Sequence, residues 1–457
     1  MMDDTISAIA TALGVGSIGV IRLSGPDSLA IADRIFAGRE KLGRENARKL
    51  LYGHILDRKG QPIDEVLAVY MPGPHSYTGE DVCEIQCHGG RQALQEILSL
   101  TYQAGARPAE PGEFTKRAFL NGRLDLAEAE SVMDIINAKS RQALVAANRG
   151  HEGGLSRKVR ELRKELRDLV VQLEAAIDYP EEDIEEVTYD RAAEVLAEAQ
   201  GAVARLVRQG SAGRILREGL RTAIVGRPNV GKSSLLNSLL QADRAIVSNI
   251  PGTTRDIIEE QMTIGGIPLV LTDTAGLRDT EDLVEKIGVE RSRAALEDAQ
   301  LALVVLDGSQ PLSGEDRELL RSLKDRKKLI LVNKSDLPQV LDTEELRREY
   351  GSSDVIVLSV KTGEGLEQVE QWLQEFVYGE GSDSESSSMT QNARQQDLLE
   401  KALRSLEDAL EGARQHLPYD CLTIDLTQTL HDLGEITGED VPDEIIDEIF
   451  AQFCVGK

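Results

Sequence analysis

The residues best suited to chemistry lie near the middle of the chain, in Gly226-Arg-Pro-Asn-Val-Gly231-Lys232-Ser233. The run follows an apolar stretch, Thr222-Ala-Ile-Val225, and precedes the apolar helical pattern Ser234–Leu240. Glycines at such a bend let backbone N–H groups approach phosphate oxygens, and the helix N-terminus adds a favourable dipole. In this strand–loop–helix setting Gly231, Lys232, Ser233 and Ser234 are candidates to bind a nucleotide. Lys232 would reach the β- and γ-phosphates, and the Ser233 hydroxyl would bind Mg2+.

Three more motifs follow in order. Leu269–Thr272 reads as a strand ending at Asp273-Thr-Ala-Gly276, with Asp273 on the metal side and the Gly276 N–H placed to read a γ-phosphate. Leu329–Val332 ends at Asn333-Lys334-Ser-Asp336. The Asp336 carboxylate matches the N1–H and exocyclic amine of guanine, whereas adenine would leave it unpaired. Val355–Leu358 ends at Ser359-Val-Lys361, suited to touching the base from its other side. Four motifs, each at the carboxyl end of a strand, imply GTP as the ligand.

Between the first two motifs, Ser248-Asn-Ile-Pro-Gly-Thr-Thr-Arg-Asp256 offers Thr254 as a switch threonine for Mg2+ and the γ-phosphate. Lys232 and Thr254 are therefore candidate catalytic residues. Leu277 occupies the position where many GTPases carry a water-orienting Gln, so hydrolysis needs other support. Arg255 and Arg278 are candidate fingers, although exposed loop arginines are usually only solvated.

The elements that position these residues occupy 217–378, where strands and helices alternate as in a parallel doubly wound sheet. Residues 1–118 mix short apolar runs with Gly/Pro punctuation, an α/β pattern. Across 119–216 the character is helical: Val159, Leu162, Leu166, Leu169, Val170, Leu173 and Ile177 recur at steps of three and four, and a second helix covers about 190–208. The Gly/Ser/acidic run GEGSDSESSS opens 379–457 as a linker, and helical periodicity resumes at Leu398. The helices on either side of the nucleotide domain are expected to pack together, which makes that domain an insertion. The fold class is thus multidomain α/β plus all-α, with an inserted P-loop domain.

A formal net charge of −27 excludes binding a polyanion by the overall field. Two basic strips stand out: Arg157, Lys158, Arg160, Arg163, Lys164 and Arg167, then Arg205, Arg208, Arg214, Arg217 and Arg221. Their spacing fits solvated helix faces. Four cysteines make no disulfide scaffold and suggest a reducing compartment. Cys83 and Cys87 sit in a strand pattern about 13 Å apart, too far to share one metal ion, and read as structural. Ile6–Ile21 lacks the preceding Lys or Arg of a signal peptide and is broken by glycines, so it reads as strand–turn–strand. No run approaches the roughly 20 apolar residues of a membrane span. A cytoplasmic protein is expected.

The chain as a whole resembles the MnmE (TrmE) tRNA-modification GTPases. The resemblance rests on Gly19-Val-Ile-Arg22-Leu-Ser-Gly25, PGEFTKRAFLNGRLDLAEAE at 111–130 and Phe453-Cys454-Val-Gly456-Lys457, with TGED at 78–81 and ITGE at 436–439. It implies a homodimer with a folate-binding-like N-terminal α/β domain, which also dimerises, and a helical domain carrying the G domain. It also implies a flavoprotein partner, MnmG (GidA), in a heterotetramer or larger complex. Together they would place a carboxymethylaminomethyl or aminomethyl group on C5 of the wobble uridine of certain tRNAs. A 5-formyl or 5,10-methylene tetrahydrofolate would supply the carbon. Neither DNA nor a membrane is among the partners so implied. Hydrolysis would be coupled to G-domain dimerisation and would need K+, a cation replacing the arginine finger.

Carried over by position, K+ would be held by Asn229, Ser248, Ile250 and Thr253; Asn229 and Thr253 would also contact the nucleotide. Ser248 stands where the family more usually has Thr. Glu285, in Val284-Glu-Lys-Ile-Gly288, would help to position the attacking water and is the third candidate catalytic residue. Folate would be bound by Arg22, Glu80, Arg123 and Lys457. Arg123 stands where some relatives have Lys, which keeps charge but changes hydrogen-bond geometry. Cys454 is a site-lining thiol candidate. Two rival readings share the nucleotide motifs: a ribosome-assembly GTPase, although no GxxG module or second P-loop is present, and a non-catalytic switch.

Overall fold

The computed structural model describes residues 4–12, 14–178, 188–242, 260–271, 298–351, 354–379, 391–439 and 441–457. They fall into two compact units that alternate along the chain. Met1–Met133, His151–Gln200 and Asp397–Lys457 make one; Asp134–Gly150 and Gly201–Gln396 make the other.

The first unit contains strands β1 (Ile6–Ile9), β2 (Ile18–Ser24), β3 (Phe36–Gly38), β4 (Leu51–Leu56), β5 (Pro62–Met71), β6 (Val82–His88) and β7 (Arg107–Pro108), in the order β3-β4-β5-β6-β2-β1-β7. Neighbours run antiparallel except β1 with β7. The two-residue period of a strand decides which side chains enter the core. Ile21 and Leu23 of β2, with Cys83, Ile85 and Cys87 of β6, join one core with Ile31, Ile35, Leu94 and Ile97 of the helices Ser28–Ile35 and Arg91–Gln103. Burial pushes the Cys83 thiol up to about 12 and the Cys87 thiol up to about 11, as suits structural thiols. Arg22 and Glu84 face each other in register on the opposite side of the sheet.

In the helical part of this unit, Gly154–Asp178 buries Val159, Leu162, Leu166, Leu169, Val170 and Leu173 and packs on Tyr419–Thr437. Each fully buried Leu or Val contributes roughly 1.5–3 kcal/mol. The first basic strip is a solvated face at Arg157, Lys158, Arg160, Lys164 and Arg167, all exposed, and Arg160 pairs with Asp125 at 2.6 Å. Arg163 departs from it: it is buried, donates to Leu430 O at 3.1 Å and pairs with Glu439. The backbone of helix Tyr419–Thr437 and its following turn take up that one charge.

The second unit is a six-stranded sheet ordered β13-β12-β11-β8-β10-β9. The strands are β8 (Leu220–Val225), β9 (Glu260–Ile264), β10 (Ile267–Leu271), β11 (Leu301–Asp307), β12 (Lys328–Asn333) and β13 (Val355–Val357). Pairing is parallel except at the β9 edge, which turns back on β10. Helices Lys232–Ala242, Gly314–Ser322, Thr343–Tyr350 and Leu366–Tyr378 cover the sheet. Along β11, Leu301, Leu303 and Val305 enter one core while Ala302, Val304 and Leu306 enter another. A strand buried on both faces reads as a continuous apolar run, and this explains the pattern in the sequence.

The helix expected over about 190–208 runs Tyr189–Glu218. It continues through Gly210, beside which the ends of the Gln391 and Gln396 side chains lie. Among the described residues no helix is long and apolar enough to cross a membrane.

Candidate functional site

Strand β8 hands the chain to a loop whose glycines are required by geometry. Gly226 has φ 150° and Gly231 φ 105°. A Cβ on Gly226 would stand 2.3 Å from Val305 O, and one on Gly231 2.3 Å from Asn333 Nδ2. Asn229 takes φ 62°, a left-handed conformation that Asn tolerates better than most residues. Lys232 opens helix Lys232–Ala242, and its Nζ donates to Gly226 O and Arg227 O, both at 2.7 Å. Burial holds that amine below the ordinary lysine range. A desolvated cation resting on two neutral carbonyls is poised to exchange them for phosphate oxygens. Ser233 and Ser234 follow in the first helical turn.

The base-reading corner is joined to this loop. Asn333, at the end of β12, donates from Nδ2 to Val230 O at 2.8 Å and accepts at Oδ1 from Val360 N at 3.1 Å. It therefore ties the phosphate loop to the turn after β13. Ser359 Oγ donates to Asp336 Oδ1 at 2.8 Å, and Lys361 Nζ stands 3.8 Å from Asp336 Oδ2. Lys334, at φ 70°, donates to Asp307 Oδ2 at 2.6 Å. Burial by itself would raise Asp307, but Lys334 and the Ser309 hydroxyl and amide hold its carboxyl below the usual range. Asn333 thus links the phosphate loop to the turn that carries Ser359 and Lys361, both of which face Asp336, while Lys334 is held on Asp307. Ser248, Ile250, Thr253, Thr254, Asp273, Gly276 and Glu285, with Leu277, Arg255 and Arg278, lie outside the described residues.

A second cluster of polar side chains lies in the other unit. Arg22 Nε donates to Glu84 Oε1 at 2.9 Å, and its Cζ sits 4.9 Å from the centre of the Tyr77 ring and 5.7 Å from that of Phe114. Arg22 Nη1 is buried without a hydrogen-bond partner among the described residues. Arg123 lies against the same Tyr77 ring, at 5.1 Å, and donates to Tyr77 O. Glu80 accepts from Ser24 Oγ at 2.8 Å and from Arg117 Nη1 at 3.1 Å. Lys457 is brought in through its backbone: Phe114 N donates to Lys457 O at 3.1 Å, and Gly112 N to Cys454 O at 3.3 Å. Cys454 itself is exposed.

Four polar residues of these sites escaped the sequence reading. Asp307 could have been found, because a carboxylate closing the apolar run Leu301–Asp307 has to be paired. Arg227 and Asp316, joined at 2.9 Å, carry no such signal. Nor does Arg117, whose guanidinium is 1% exposed and reaches Asp4, Glu80 and Glu113. Burial would raise Glu113, but Arg107, the Glu110 amide and Arg117 keep it below the usual carboxylate range.

Comparison with known proteins agrees with this architecture. A family model described as the MnmE helical domain matches residues 126–454, and one described as the GTP-binding protein TrmE N-terminus matches residues 5–123. The chain is 49% identical over 455 residues to the tRNA modification GTPase MnmE of Latilactobacillus sakei subsp. sakei (strain 23K), covering 99% of this chain and 98% of that relative. It is 48% identical over 458 residues to the tRNA modification GTPase MnmE of Clostridioides difficile (strain 630), covering 100% of both. With both family models matched and relatives nearly half identical along its length, this chain belongs to the MnmE (TrmE) family of tRNA modification GTPases.

Proposed function

We propose that this chain is a K+-dependent GTP hydrolase that works with the flavoprotein MnmG (GidA), as a homodimer within a larger complex in the cytoplasm. Its product would be a carboxymethylaminomethyl or aminomethyl group on C5 of the wobble uridine of certain tRNAs. The observation that carries the folate-linked part is the buried Nη1 of Arg22, which has no hydrogen-bond partner among the described residues. A guanidinium N–H withdrawn from water without an acceptor is costly and marks a place for an anionic or carbonyl oxygen. Arg22 rests on the partly exposed Tyr77 ring and on Phe114, which is fully buried. Glu80 offers a carboxylate suited to pterin N–H groups; Arg123 and Lys457 would supply cations for a glutamate tail. Tetrahydrofolate, when bound, supplies a one-carbon unit.

In the nucleotide unit, Lys232 and the backbone from Gly226 to Gly231 would hold the phosphates, Ser233 a Mg2+ ion, and Asp336 the guanine. Asn229, left-handed in the phosphate loop, would be the K+ ligand from that loop. Thr254 and Asp273 would complete the metal side, and Ser248, Ile250 and Thr253 the K+ site. The Gly276 N–H would meet the γ-phosphate, and Glu285 would position water.

The test is reconstitution with the flavoprotein, tRNA, GTP, 5-formyltetrahydrofolate and K+, read by nucleoside mass spectrometry. The wild-type chain should modify the wobble uridine. Arg22→Ala should yield about tenfold less product, the cost of one charge-assisted hydrogen bond, while still hydrolysing GTP. An unmodified uridine with the wild type, or equal yield in Na+ and K+, would overturn the reading.

A further inference from the structure

The loop between Gly226 and Lys232 has two side-chain anchors. One, Asn333 on Val230 O, belongs to the base-reading motif. The other is outside every nucleotide motif. Arg227 Nε donates to Asp316 Oδ1 at 2.9 Å, and the Oδ2 separation is also 2.9 Å. The Asp316 side chain is 3% exposed, and its second role fixes it. Its Oδ2 accepts from Ser313 N at 3.0 Å and from Ser313 Oγ at 2.7 Å, while Ser313 Oγ accepts from Asp316 N at 3.1 Å. This capping box opens helix Gly314–Ser322, and Leu320 seats that helix in the core with Val304 and Leu306 of β11. The acceptor is thus rigid before Arg227 reaches it.

Arg227 is also one of the two residues whose carbonyls hold Lys232 Nζ. We propose that Asp316 is a positioning residue for nucleotide binding: through Arg227 it fixes the loop segment on which the Lys232 amine rests. The loop then binds phosphate without first being ordered. Preorganisation of this kind improves affinity by removing an entropic cost and leaves the chemical step alone. The inference goes beyond GTP hydrolysis by this family and depends on neither folate nor K+.

The test uses the full chain and a fluorescent N-methylanthraniloyl GDP, with GTP turnover measured alongside. Asn at 316 still accepts from Ser313, so Asp316→Asn keeps the helix cap while turning an amide or a neutral oxygen toward Arg227. Loss of one hydrogen bond to a charged group converts to about a tenfold rise in GDP Kd, appearing mainly as faster release. The KM for GTP should rise similarly, and kcat for Asp316→Asn at saturating GTP should stay within about twofold. Arg227→Met, which leaves the capping box untouched, should match Asp316→Asn, and the double variant should be no worse than either. Wild-type affinity in Arg227→Met, additive losses in the double variant, or a fall in kcat with KM unchanged would overturn the proposal.

Discussion

At the phosphate loop the chain presents backbone: Gly226 and Gly231 at φ 150° and 105°, amides and carbonyls turned inward, and Lys232 resting on two of those carbonyls. Around Arg22 the N-terminal unit presents side chains instead. Arg22 meets Glu84 from 62 positions away, and Arg117 meets Asp4 from 113. A pocket made from backbone is specified by a short contiguous segment, since local conformation places every donor. A site made from side chains is specified by the tertiary fold, since most of its charge pairs join separate segments, Glu113 with Arg117 on one helix aside. The nucleotide unit should therefore be sensitive to the loop's conformation, and the N-terminal unit to its charge balance.

The largest expected effect breaks that balance. Arg117 is 1% exposed and serves Glu113, itself 4% exposed, together with Glu80 and Asp4. Arg117→Met leaves the buried Glu113 to Arg107 and takes the guanidinium from Glu80. Losing one partner of a buried pair costs about 3–5 kcal/mol, and the retained Arg107 sets this change toward the lower end. Chemical denaturation followed through the N-terminal unit should show that loss, while GDP affinity holds at the wild-type value. A neutral substitution would mean that the charges of this unit are not mutually dependent.

The converse change is conformational. Gly231→Ala places a methyl group 2.3 Å from Asn333 Nδ2 on a residue at φ 105°. Strain of about 1–3 kcal/mol, together with the displaced Asn333, should weaken GDP binding about a hundredfold. Equilibrium titration checks this, and the stability of the N-terminal unit should not follow. If Gly231→Ala binds normally, local conformation is not what makes the nucleotide site.

The same contrast explains what could be read from the sequence. Gly226–Ser233, Asn333–Asp336 and Ser359–Lys361 declare themselves because each is contiguous and closes an apolar run. The parallel sheet is legible for the same reason: strands buried on both faces leave unbroken stretches such as Leu301–Leu306. Residues that act across the fold are not legible. Arg227 looks like any exposed loop arginine until Asp316, far along the chain, is placed 2.9 Å away. Arg163 sits in what reads as a solvated stripe until helix Tyr419–Thr437 covers it. In the N-terminal unit, strand alternation gives the core face; only resemblance to a family, not spacing, singles out Arg22, Glu80, Arg123 and Lys457.

The smallest effect sharpens the comparison at the rim of the N-terminal sheet. Asp64 on β5 accepts from the His88 backbone N–H at 2.8 Å and lies 2.6 Å from His88 Nδ1. The imidazole is open to solvent, but the Asp64 hydrogen bond, reinforced by the Asp64 charge, raises its pKa above the ordinary value. A raised folded-state pKa favours the protonated form, so its stabilisation is complete below the unfolded value of about 6.5 and is lost as pH rises through the folded one. Proton NMR should find the His88 midpoint above that reference, and the N-terminal unit should weaken slightly across the interval. Asp64→Asn should return the midpoint to the reference and abolish the pH dependence, while GDP affinity stays flat over the same range. A midpoint at or below about 6.5 would show that exposure to water, not the Asp64 carboxylate, governs this rim. The dependence of the N-terminal unit on paired charge would then stop at its buried network around Arg117.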